Sequence, residues 1–124
     1  MPGRGQRPDP RGPESTASVL AALDAGQEPD AQALRIAVRH LLQLLETRHP
    51  GHAVEVRVPP VAAVQCIPGP RHTRGTPPNV IETDPVTWLR LASGRLGWAE
   101  AMASAAVHAS GARADLAAYL PLVG

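Results

Sequence analysis

The densest cluster of side chains able to do polar chemistry is Arg71, His72, Thr73 and Arg74, set in a stretch from Pro68 to Pro78 that holds four prolines and two glycines. Two guanidiniums and a hydroxyl can grip a carboxylate or phosphate through paired donors. The prolines restrict the loop, which lowers the entropy lost when several donors are presented together. The competing role is structural: Arg71 and Arg74 would pair with Glu55, Glu82 or Asp84 and pin the loop to a sheet, the commoner fate of a surface arginine cluster.

Other reactive residue types lack the company that chemistry needs. Cys66 is the only cysteine, in a Val-Gln-Cys-Ile context that supplies no base, so a buried small hydrophobe is expected rather than a nucleophile. A lone cysteine also excludes an intramolecular disulfide and points to a reducing, cytoplasmic setting. His49 and His52 flank Pro50-Gly51 and so do not stack on one helical face as metal ligands would; His40 and His108 have no carboxylate fixed beside them by spacing. Trp88 and Trp98 either line a ligand cavity or anchor a core. No phosphate-binding glycine loop, nucleophile elbow or paired-carboxylate helix occurs, so neither an enzyme nor a cofactor or metal site is expected.

Composition narrows the partners. Net charge is +1, all twelve basic residues are arginine, and Trp88, Trp98 and Tyr119 are the only aromatics, which disfavours nucleic acid. No apolar run approaches the roughly twenty residues of a spanning helix, and Val19–Leu23 is too short for a signal-peptide core, so no membrane insertion is expected. The length allows one core.

The elements that must position these residues follow from periodicity and punctuation. Residues 1–14, rich in Pro, Gly and Arg, read as a disordered leader, and 15–29 as a short helix with Ser15 or Ser18 as N-cap, followed by a linker. From Asp30, Leu34, Ala37, Val38, Leu41, Leu42 and Leu45 recur at helical spacing, with Pro50-Gly51 as the stop. Val54, Val56 and Val58 alternate with Glu55 and Arg57 as a strand ended by Pro59-Pro60. Val61–Ile67 is apolar on both faces apart from Gln65, which predicts a central strand in a hairpin with the first. Asn79–Thr83 is a third strand, Asp84-Pro85 opens a short helix, Gly94 stops it, Trp98–Ser104 forms another, and Val107–Ser110 is a fourth strand. A last helix is expected over Asp115–Leu120.

The block Asp84-Pro-Val-Thr-Trp-Leu-Arg-Leu-Ala-Ser-Gly-Arg-Leu-Gly-Trp-Ala-Glu-Ala, followed by Val107-His-Ala-Ser-Gly, resembles sterol carrier protein type two. The paired strands and the Arg71–Asn79 loop resemble a small actinobacterial branch of that family. The resemblance covers residues 30–123 and implies an α/β (α+β) domain, a twisted, mainly antiparallel sheet covered by helices. It implies a non-catalytic module for lipid or another apolar small molecule, fatty acyl or sterol-like; the arginine loop, by its own chemistry, would then hold an acidic head group. The alternative is an accessory domain with a filled core that docks a protein partner. The candidate ligand-binding set is Arg71, His72, Thr73, Arg74, Glu55, Gln65, Asn79, Trp88 and Trp98. Phenylalanine is missing and alanine numbers 21, so helices either approach the sheet closely or leave space beside it.

Overall fold

The computed structural model describes residues 7–69 and 79–124. Its elements are α1 (Gly12–Asp24), α2 (Ala31–Arg48), β1 (Val54–Val58), β2 (Ala62–Cys66), β3 (Val80–Thr83), α3 (Pro85–Ala92), α4 (Trp98–Ala103) and β4 (Val107–Ser110).

Helix α2 starts and stops where its chemistry requires. The Asp30 side chain accepts from the Ala33 N–H at 2.9 Å, and Ile36, Ala37, Val38, Leu41, Leu42 and Leu45 form its buried stripe. After Pro50 the chain passes through Gly51, where an added Cβ would stand 2.1 Å from the Ile67 carbonyl oxygen, so only glycine fits. Ile67 has a positive φ of 71°, a region that disfavours β-branched residues. Its N–H donates to the His49 carbonyl at 2.6 Å and its own carbonyl accepts from Ala53 N–H at 3.1 Å. These contacts fasten the end of β2 to the end of α2.

The sheet order is β2-β1-β3-β4, with β1 antiparallel to β2, parallel to β3, and β3 antiparallel to β4. The β1–β2 hairpin turns through a cis Pro59-Pro60 bond, with Val61 N–H donating to the Val58 carbonyl at 2.9 Å. Val54, Val56, Val58 and Ile81 are buried on the inner face, whereas Glu55, Arg57, Glu82, Gln65, His108 and Ser110 occupy the other, partly or fully exposed face. A one-faced sheet of this kind alternates strand by strand, as β1 does.

Helix α3 is fixed by its N-cap: Asp84 accepts from Thr87 N–H at 3.1 Å and from Thr87 Oγ1 at 2.6 Å, with Pro85 in the first turn. Trp88, Leu89, Leu91 and Ala92 are its buried side. Gly94, at φ 76°, reverses the chain, and Arg95 N–H and Leu96 N–H both donate to the Arg90 carbonyl.

Three expectations are corrected. Strand β2 is an edge strand rather than a central one, paired among the described residues with β1 alone; Ala63 and Gln65 are exposed, and the apolar look of the segment came in part from an alanine small enough to be so. Helix α1 starts at Gly12, three residues before Ser15, and no side chain caps it; Pro13 occupies its first turn and Ser15 and Ser18 lie within it. No helix forms over Asp115–Leu120: Asp115 accepts from Ala117 N–H at 2.8 Å, only a turn closed by Tyr119 N–H and the Leu116 carbonyl follows, and Pro121 has no N–H with which to continue it. This tail is held instead by Leu122 N–H on the Ala92 carbonyl at 2.7 Å and by Arg48 Nη1 on the Leu122 carbonyl at 2.8 Å.

Candidate functional site

Arg71, His72, Thr73 and Arg74 lie outside the described residues. Of the other five, Glu55 and Gln65 are register partners on the outer face of the sheet and Asn79 adjoins Glu55 at the start of β3, whereas Trp88 and Trp98 belong to the helices. Glu55 is ion-paired with Arg57 through Nε and Oε1, along the outer face of β1. Gln65 Oε1 lies 2.8 Å from His52 Nδ1, which ties the loop before β1 to β2. Asn79 is buried and both ends of its amide are bonded: Nδ2 donates to the Ala53 carbonyl and Oδ1 accepts from Arg113 N–H, both at 2.8 Å. Asn79 thus clamps the start of β3 between the start of β1 and the segment after β4.

The two tryptophans differ. Trp98, the first residue of α4, is partly exposed at the margin of the core. Trp88 is wholly buried, and its indole Nε1 has no hydrogen-bond partner. A buried donor left unmatched costs about 1–3 kcal/mol, so a polar atom brought to it would recover that energy.

Cys66 is buried, and burial, with a smaller contribution from the Glu46 charge, pushes its thiol up to about 12. It is a core residue and an inert thiol at neutral pH. Among the described residues no three His, Cys, Asp or Glu side chains converge as metal ligands.

A groove runs between α2 and β2. It has a volume of about 490 Å³, with Ile36, Leu42, Val61 and Val64 as apolar walls and Arg7, Arg39 and His40 among its polar ones. Asp9 also borders it but is held by Arg11, whose Nε and Nη2 donate to its two carboxylate oxygens at 3.1 and 3.0 Å. His40 is half-buried on α2 against Gly12 of α1, where an added Cβ would come within 2.4 Å of Nδ1. Desolvation holds the His40 pKa below its ordinary value, which favours the neutral ring. On the far side of His40 a shallower groove of about 450 Å³ lies along α1, bordered by Leu20, Arg95 and Val123.

Sequence reasoning missed the α2–β2 groove. The helical face bearing Arg39 and the Val61–Val64 run were both visible, but their juxtaposition depends on β2 being at the edge.

An open four-stranded sheet carrying its helices over one apolar face defines an α+β domain of the sterol-carrier type. Residues 30–122 match the family described as bacterial SCP ortholog, and the chain belongs to that sterol carrier protein family. No curated protein matches it. The matched segment begins at the N-cap of α2, so α1 precedes it.

Proposed function

We propose that this protein is a non-catalytic module that binds lipid or another apolar ligand, fatty acyl or sterol-like, against the helix-covered face of the sheet beside α3. The observation that supports this reading most is Trp88, the one buried side-chain donor without a partner among the described residues, placed within the apolar core of a sterol-carrier domain. A ligand hydroxyl or carbonyl there would accept from Nε1, while each buried methylene contributes about 0.8 kcal/mol. In this reading the Arg71–Arg74 segment holds an acidic head group.

Native mass spectrometry of the purified protein tests the proposal, with co-purified lipid as the expected result. Titrating delipidated Trp98→Phe protein, whose only indole is Trp88, with oleate and with cholesterol should shift the emission. Bare protein and an unchanged spectrum with both ligands would overturn the reading. Arg71→Ala combined with Arg74→Ala should weaken oleate binding while leaving Tm nearly unchanged.

The accessory reading, a domain that docks a protein partner, is favoured by a separate observation: an edge strand bordering a groove.

A further inference from the structure

Four consecutive residues, Val61, Ala62, Ala63 and Val64, line the α2–β2 groove. Side chains of a strand alternate between faces, so a surface touched by every residue in turn borders the backbone edge and not one face. The groove therefore lies along the outer edge of β2, with α2 as its opposite wall.

The hydrogen-bond parity of the sheet says which backbone groups that edge offers. Glu55 N–H donates to the Asn79 carbonyl at 2.9 Å, toward β3, so Glu55 turns its peptide groups away from β2. Its partners in register are Glu55 with Gln65 and Arg57 with Ala63. These are then the non-bonded pairs, and Val54–Cys66, Val56–Val64 and Val58–Ala62 carry the ladder. Ala63 and Gln65 consequently point N–H and C=O outward, and among the described residues no strand lies beside them.

Natural edge strands are blunted by lysine, proline or inward-pointing charge. Residues 62–66, Ala-Ala-Val-Gln-Cys, contain none of these. The charge around the groove is cationic instead: Arg7 and Arg39 are exposed with no acidic partner among the described residues, and Asp9 is committed to Arg11.

We propose that this edge is a docking site for an extended acidic protein segment, which adds as a fifth strand outside β2 and lies between β2 and α2. Its backbone pairs with Ala63 and Gln65, alternate apolar side chains enter the groove over Ile36, Leu42 and Val64, and flanking carboxylates meet Arg7 and Arg39. Main-chain pairing supplies affinity in strand addition, and the side-chain pockets and charges supply selectivity. The site is separate from the Trp88 region, since neither tryptophan lines the groove.

The test uses the full chain, ¹⁵N-labelled, with the probe peptide acetyl-Asp-Glu-Val-Thr-Val-Glu-Asp-amide. The amides of Ala63 and Gln65 should show the largest shifts, and cross-strand contacts should place the peptide outside β2. Methylating the central peptide nitrogens should weaken binding at least tenfold, as should Arg39→Glu, and replacing the acids by lysine should abolish it. Ala63→Pro, which removes an outward N–H, should lose binding while its Tm stays within about 3 °C of the parent. Equal binding of the lysine peptide, equal binding after N-methylation, or shifts confined to α2 would overturn the proposal. So would oleate taking the groove in place of the peptide.

Discussion

The two edges of the sheet, β2 and β4, are alike in their ladders and unlike in their surroundings. Each presents a pair of outward-facing backbone groups: Ala63 and Gln65 on β2, Val107 and Ala109 on β4, by the same parity that pairs Val80 with Ser110 and Glu82 with His108. Only β2 has residues lining one of the grooves described above, with a helix across from it and arginines at its rim. An unpaired strand is thus half of a docking site. The other half is a wall that selects what approaches, and α2 provides it because the His49 carbonyl accepts from Ile67 N–H at the end of β2 and Gly51, lacking a side chain, lets Ile67 come close.

The largest effect on this arrangement should come from Gly51→Ala. Its Cβ would meet backbone atoms of Ile67 at 2.1 and 2.3 Å, which no side-chain rotation relieves. A loss of about 3 kcal/mol is expected, the upper part of the range for overpacking, and chemical denaturation measures it. The amides of β2 should move in the folded variant and those of β4 should not. Equal disturbance of both edges would show that α2 does not anchor β2 selectively.

Gly12→Ala comes next. The new methyl would clash with the His40 ring, a side chain that can swing away, so a loss of about 1–2 kcal/mol is expected. His40 borders the groove, so moving its ring should lower peptide affinity at β2 along with stability.

A pH scan sharpens the same point. The His40 pKa in the folded chain is lowered by desolvation, so between that value and the unfolded value of about 6.5 the unfolded chain binds more protons. Stability contributed by the neutral ring is complete above about pH 6.5 and is lost as pH falls toward the folded value, below which the loss levels off. Comparing Tm at pH 7.5 and 5.5, His40→Gln should show a smaller acid-induced drop than the parent. An identical drop would place the titration elsewhere.

The smallest effects should be at the edges themselves. Ala63→Pro and Ala109→Pro each remove an N–H that the ladder does not use, so each should change stability by less than about 1 kcal/mol. Val64→Pro, one residue along, removes a ladder donor and should cost about 2–3 kcal/mol. A large cost at Ala63 would reverse the parity assigned to β2.

Much of the frame was legible from residue order alone. Asp30 and Asp84 announced α2 and α3 because an N-cap and a following apolar period are local signals, and the valines of β1 alternate without ambiguity. What escaped was decided over distance. The position of β2 at the edge is hidden by Ala62 and Ala63, whose size suits either a core or a surface. Asn79 looked like a loop residue available to a ligand, yet its amide closes a junction between Ala53 and Arg113, residues far from it in the chain. The Asp115–Leu120 segment has helical composition, but the tail is placed by the Ala92 carbonyl and Arg48, both distant in the chain.

The proposed separation of an apolar site beside Trp88 from a strand-pairing site at β2 is tested most directly by a single amide and indole shift map on ¹⁵N-labelled protein. With oleate added, the Trp88 indole N–H should move and the Ala63 and Gln65 amides should stay; with the acidic peptide, the reverse. One common set of residues responding to both would contradict it.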